Sequence, residues 1–170
     1  DRTIGYFIET CGTSMMNLIN EIRKLIEYVG ENGTITTKDI DKLSIKELDS
    51  VIFDLTDNLG QRKITEALQI LKELLYNKEP IQKILITLYN HLKKIYITML
   101  AEEYKVNVAE ALNLKPNQMF LTTKYKKQAT YFNKQELRNI LQQLRDLDYK
   151  TKQGLIDINI GLEAILCMMA

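Results

Sequence analysis

The stretch Ile81-Gln-Lys-Ile-Leu-Ile-Thr-Leu-Tyr-Asn-His-Leu-Lys-Lys-Ile-Tyr-Ile-Thr-Met-Leu-Ala-Glu-Glu-Tyr104 contains neither glycine nor proline and begins directly after Pro80. Ile81, Ile84, Leu85, Leu88, Leu92, Ile95, Tyr96, Met99 and Leu100 recur three and four apart. That is the helical period, and it predicts one long helix with a broad apolar face. Such a face needs other helices to cover it, and the flanking sequence supplies them. Toward the C-terminus, shorter helical segments fall at Asn107–Leu112 and Asn117–Tyr131, separated at Pro116. Asn133-x-x-Glu136 has the form of a capping box and opens a helix striped by Leu137, Ile140, Leu141, Leu144 and Leu147. Gly154 breaks it, and Ile160–Met169 closes the chain as a strongly apolar helix. Toward the N-terminus, Ile64, Ala67, Leu68, Leu71, Leu74 and Leu75 stripe one helix, and Asp49–Leu59 forms another that stops at Gly60.

A break falls near Ser44-Ile45. Before it, Thr13-Ser14 supplies N-cap chemistry for a helix striped by Met15, Leu18, Ile19, Ile22, Leu25, Ile26 and Val29, ending at Gly30. Gly30-Glu-Asn-Gly33 is a turn, and Thr36-x-x-Asp39 opens a short helix, Thr37–Leu43. Strand-like alternation is confined to a few residues around Thr34–Thr36 and near the start. The expectation is an all-α protein of eight or nine helices: a short helical piece, residues 1–45, followed by an antiparallel helical bundle, residues 46–170. The chain opens on Asp1, not Met, and we expect a piece of a longer protein.

With 170 residues, 45% hydrophobic and 26% charged, the chain has an ordinary globular composition. The longest apolar run, Ala164–Ala170, is seven residues, far short of the about 20 needed to span a bilayer. No membrane association is expected. Two cysteines 156 positions apart make no CxxC pair and suggest a reducing, cytoplasmic setting. His91 is the only histidine, which excludes HExxH and multi-histidine zinc sites. No glycine precedes a lysine, so there is no GxxxxGK[ST] loop, and GxGxxG and GxSxG are absent as well. We therefore expect no catalytic residue, no metal site and no cofactor. His91, on the polar side of the long helix beside Lys93 and Lys94, reads as a surface or helix-packing residue. Asp54 and Asp57, three apart, read as a helix-start or solvated pair, too few for an oxygen-ligand metal site.

Two features remain. The closing helix is apolar nearly all round, which fits either deep burial or a subunit interface. Leu162, Ile165, Leu166 and Met169 on it, with Leu88, Leu92 and Ile95 on the long helix, are the candidate interface residues. The net charge is only +1, but residues 1–60 carry 6 basic and 11 acidic side chains, and residues 61–170 carry 17 and 11. Lys115–Arg138 concentrates six cations against one acid, with Tyr125, Tyr131 and Phe132 interleaved. This is either a solvated face or a DNA-proximal or partner-binding one; the candidate DNA-proximal lysines are Lys115, Lys124, Lys126 and Lys127 within it and Lys150 and Lys152 beyond it. Ala109–Pro116 with Asn117–Tyr131 also admits an alternative, a helix-turn-helix-like DNA-binding module over residues 109–138. The segment is rich in lysine and has few arginine or amide groups for base edges, which argues for backbone contact over sequence readout.

The order of these motifs resembles the delta-subunit family of the bacterial replicative clamp loader, within the DNA polymerase III holoenzyme. Asn20-Glu21, Lys24-Leu25, Tyr28, Ile35-Thr36 and Asp39-Ile40 are similar to the end of that family's AAA+-type helical lid. Val51-Ile-Phe-Asp-Leu-Thr-Asp57, Ala67-Leu68, Leu71, Ala109–Pro116 and Asp148-x-x-x-Lys152-x-Gly154 are similar to its C-terminal collar. The resemblance implies a collar that holds a hetero-pentamer of loader subunits together during sliding-clamp loading. It further implies a clamp-gripping N-terminal domain that is absent here, and weak, non-specific contact with primed DNA at most. It implies no reaction by this fragment, although the parent would be a subunit of a nucleotidyltransferase holoenzyme.

Overall fold

The computed structural model describes residues 2–12, 14–44 and 48–169. Ten α-helices and one short 3-10 turn are found among the described residues, with no strand. They are α1 (Arg2–Cys11), α2 (Met15–Val29), α3 (Thr37–Leu43), α4 (Leu48–Gly60), α5 (Ile64–Tyr76), α6 (Ile81–Glu103), α7 (Val108–Ala111), α8 (Phe120–Ala129), α9 (Lys134–Lys152) and α10 (Ile158–Cys167). The 3-10 turn, Pro116–Gln118, precedes α8. The chain divides into two compact units, residues 1–53 and 54–170. The break expected at Ser44-Ile45 runs into residues 45–47, outside the described residues, as does Thr13 of the expected N-cap pair.

The first unit packs α1, α2 and α3 on one another around Phe7, Cys11, Leu25 and Ile40. α1 is an addition to the sequence reading, which saw only short alternation near the start. Ile4, Phe7, Ile8 and Cys11 are in fact spaced at three and four, a helical stripe. α2 ends where Gly30 adopts φ +76°, a conformation that a side chain resists. α3 carries the expected capping box. Asp39 accepts from the Thr36 backbone N–H at 2.9 Å and from its hydroxyl at 2.6 Å, which holds the Asp39 carboxyl below its ordinary range. The motif residues Glu21 and Lys24 tie the unit together. Their ion pair at 2.7 Å is half-buried, and Lys24 also donates to the Leu43 carbonyl at 3.3 Å.

In the second unit α6 is the central helix, packed against α7, α8, α9 and α10, and α10 also packs on α5 and α9. Positions 84, 88, 91, 95 and 98 form one inward row of α6, and all five are buried. α9 has the expected capping box, with Asn133 accepting from Gln135 N–H at 2.8 Å. It ends in a Schellman turn: Gly154, at φ +73°, donates to the Thr151 carbonyl and Leu155 donates to the Lys150 carbonyl. α10 begins two residues before the expected start because Asp157 caps it, accepting from Asn159 and Ile160 N–H. A close approach of α9 and α10 is set by Gly161, where a Cβ would lie 2.2 Å from a Leu147 methyl.

Candidate functional site

The side chains singled out from the sequence fall into three places: the interior, the basic surface and the outer face of α10. Leu88, Leu92, Ile95, Leu162, Ile165, Leu166 and Met169 are all buried within the second unit, none more than 6% exposed. The interface assignment for these seven is corrected: their surface is already used by the intrachain core, and little is left for another molecule. The apolar character of α10 extends to its other side. Ile160, Ala164, Cys167 and Met168 are exposed, Ile160 at 70% and Met168 at 64%. Positions 160, 164 and 167 follow the i, i+4, i+7 row, so an apolar stripe runs along the outward face, with the half-buried Glu163 at its edge.

The basic segment is less open than its charge suggests. Lys124 pairs with Asp57 at 2.5–2.7 Å, Lys126 lies 3.5 Å from Glu102, and Lys134 bonds Glu103 at 2.7 Å. The Glu103 carboxylate holds the Lys134 amine above its ordinary pKa. Lys152 pairs with Asp148 one turn earlier at 2.7 Å, as their i, i+4 spacing allows. Lys115, Lys127 and Lys150 are exposed and have no carboxylate partner among the described residues. The helix-turn-helix geometry is also absent. α7 is a single turn, and α8 starts at Phe120, not Asn117, because the Pro116–Gln118 turn intervenes. Tyr125, Gln128 and Ala129 on α8 are buried.

His91 departs from the sequence reading, which placed it on the polar side of its helix. It occupies the inward row of α6 at 7% exposure, with its ring 5.4 Å from that of Tyr125. Around it are Gln128, the Asp57–Lys124 pair, and Lys94, whose amine lies over the Tyr125 ring. Burial pushes the imidazole pKa down to about 4, against the opposing pull of the Asp57 charge. Burial also raises the Tyr125 phenol. His91 Nε2 and Gln128 Oε1 are buried without a hydrogen-bond partner. A buried imidazole stacked on Tyr125, with no nucleophile beside it among the described residues, is placed as a packing group. No cluster of three or more His, Cys, Asp or Glu that could hold a metal exists among the described residues. No helix among them is long and apolar enough to cross a membrane.

One important residue gave no sequence signal. Arg62, at φ +61° between α4 and α5, donates to the Tyr131 carbonyl at 3.1 Å and to the Met169 carbonyl at 2.7 Å. It also pairs with Glu136 and lies 4.9 Å over the Phe132 ring. One guanidinium thus fastens the end of α10 to the α8–α9 turn, using the planar fork that lysine lacks.

Fold and surface define an all-helical module, with no strand among the described residues, whose last helix presents a largely apolar exterior. A family model described as the DNA polymerase III delta subunit, C-terminal domain, matches residues 49–169, and the chain belongs to that family. It is 33% identical over 159 residues to the Bacillus subtilis DNA polymerase III subunit delta, covering 91% of this chain and 45% of that protein. It is 28% identical over 154 residues to the probable delta subunit of Aquifex aeolicus, covering 88% and 43%. The solved Bacillus subtilis DNA clamp loader delta protein superposes with a TM-score of 0.73 at 29% identity, covering 99% of this chain and 50% of that one. The chain spans about half the length of the curated relatives it matches. The family resemblance read from the motifs and the all-α architecture are thereby established. The DNA-binding-module alternative finds no support in any of these matches.

Proposed function

We propose that this chain is the assembly part of a clamp-loader delta subunit: the collar, residues 46–170, joins the subunit to its sister loader subunits, and residues 1–45 are the end of the preceding helical lid. The fragment catalyses nothing and needs no cofactor. In the whole protein, the preceding region grips the sliding clamp, and the hetero-pentamer works in the cytoplasm on primed DNA. Lys115, Lys127 and Lys150 are the lysines left for weak, sequence-blind phosphate contact.

The observation that carries this reading is the outward stripe of α10, Ile160, Ala164, Cys167 and Met168. A folded monomer with a full interior rarely leaves contiguous apolar area on its exterior unless something docks there. The stripe is apolar along Ile160, Ala164 and Cys167, with Glu163 at its edge, so its counterpart is an apolar helix face with a polar rim, the usual composition of stable interfaces. The test is mixing the chain with the remaining loader subunits and measuring mass by light scattering after size exclusion. A stoichiometric complex is expected; separate elution of every component overturns the reading.

A further inference from the structure

The turn that joins α2 to α3 carries a chemistry that assembly does not use. It reads Gly30-Glu-Asn-Gly33, and Asn32-Gly33 is the one Asn-Gly pair in the sequence. Both residues are exposed, and the Asn32 side chain has no hydrogen bond among the described residues. Other asparagines are held. Asn17 and Asn58 donate their side-chain amides to the Cys11 and Asp54 carbonyls at 2.8 and 2.9 Å. Asn107 and Asn133 cap helices, accepting from the Ala109 and Gln135 N–H groups. Every asparagine except Asn32 is followed by a residue with a side chain, which crowds the backbone nitrogen after it.

We infer that Asn32 is a site of spontaneous deamidation and that its product loosens the α2–α3 connection. Asparagine amides are thermolabile, and the reaction needs only water and base. The Gly33 backbone nitrogen gives its proton to hydroxide and attacks Asn32 Cγ. The new N–Cγ bond closes a five-membered succinimide, the Cγ–Nδ2 bond breaks, and the amide leaves as ammonia with a proton from water. Water then opens the ring. Opening at Cγ leaves aspartate; opening at the Asn32 backbone carbonyl leaves isoaspartate, whose main chain runs through Cβ and Cγ. Glycine gives the attacking nitrogen the least crowded approach. Its one restraint is the bond from Gly33 N–H to the Gly30 carbonyl at 3.1 Å, and a hydrogen bond in an exposed turn opens at little cost. The isoaspartyl product fits the turn badly. A Cβ at Gly33 would lie 2.2 Å from the Val29 carbonyl oxygen, so there is no room there for a lengthened backbone. The new carboxylate stands beside Glu31, just past the end of α2, where the last carbonyls already carry partial negative charge. Ile35, which packs on the core of the first unit, and the Thr36 cap of α3 follow within four residues.

The test ages folded full-length protein at 37 °C, at pH 7 and at pH 9, and follows each asparagine of residues 1–170 by digestion and mass spectrometry. Conversion at Asn32 is expected to be at least tenfold faster than at any other of these asparagines, and faster at pH 9 than at pH 7. Enzymatic carboxyl methylation, which counts isoaspartate, should rise in step with it. Asn32→Gln, whose ring would have six members, should remove that signal while circular dichroism stays unchanged. In the isoaspartyl fraction, hydrogen exchange of the α3 amides is expected to be several-fold faster, with those of α6 unchanged. Conversion at Asn32 no faster than elsewhere, or only after denaturation, overturns the site. An α3 exchange rate equal to that of fresh protein overturns the loosening.

Discussion

The two units solve the problem of burying helical faces differently. Residues 54–170 wrap α6 on several sides, so that Ile84, Leu88, Leu92 and Ile95 are almost wholly excluded from water. Residues 1–53 have four buried apolar residues at their centre and a groove wall left open. A larger unit can enclose a core and still spare apolar side chains for its exterior, whereas a small one has too little chain to close its own. The stripe on α10 lies outside an enclosed core, while the groove beside α1 opens directly onto the small core of its own unit.

That contrast can be broken first by core truncation. Leu92→Ala, in the closed core, is expected to cost about 3 kcal/mol, read by urea denaturation. Ile19→Ala, in the open wall, is expected to cost less than about 1 kcal/mol in the 170-residue chain. Equal losses would mean that the groove is already packed. Arg62→Ala comes next, at about 2 kcal/mol, because it strands the Tyr131 and Met169 carbonyls and Glu136 together. Arg62→Lys should recover less than half of that loss, since an ammonium cannot span the three acceptors.

Acid sharpens the comparison further. The folded His91 pKa lies near 4 and its ordinary value is 6.5, so the unfolded state takes up the proton first. The stability of residues 54–170 is then whole above pH 6.5 and falls on the order of 1 kcal/mol per unit down to about pH 4. His91→Gln should flatten that decline in urea midpoints measured from pH 7 to 4.5. Asp39 in the first unit behaves differently. Its pKa is held below 3.8 by Thr36, so its contribution is present above that value and lost only as the pH falls through the depressed one. Hydrogen exchange should therefore show the second unit loosening at a higher pH than the first. The smallest expected effect is at helix ends. Lys78, Lys105 and Asn113 hold left-handed backbone, at φ +57°, +55° and +51°. Replacing Lys78 or Lys105 with glycine should stabilise the chain by a few tenths of a kcal/mol, seen as a small rise in Tm.

Those same positions explain where sequence reading succeeded and failed. The helix end at Gly154 was legible because glycine advertises a left-handed cap. Arg62, Lys78, Lys105 and Asn113 make the same turn without glycine, so the turns at Lys105 and Asn113 left no glycine signal. Capping boxes at Thr36 and Asn133 were plain because their partners are three residues apart. The contacts of Arg62 are 69 to 107 residues apart, and no local pattern encodes them. His91 was misplaced because its neighbours Lys93 and Lys94 are polar, although rows 84, 88, 91 and 95 already put it inside. On α10 the helix was identified but its faces were not. When nearly every residue is apolar, periodicity cannot tell the core side from the exposed side.

The claim that the outer face of α10 joins this chain to its sister subunits is tested most directly by one titration. The affinity of the remaining loader subunits for the chain is measured by calorimetry with Ile160→Asp, and with Ile86→Asp, which alters an exposed isoleucine on α6. The expected result is at least a tenfold weakening for Ile160→Asp, an unchanged affinity for Ile86→Asp, and unchanged thermal unfolding for both. Unaltered binding by Ile160→Asp would contradict the account.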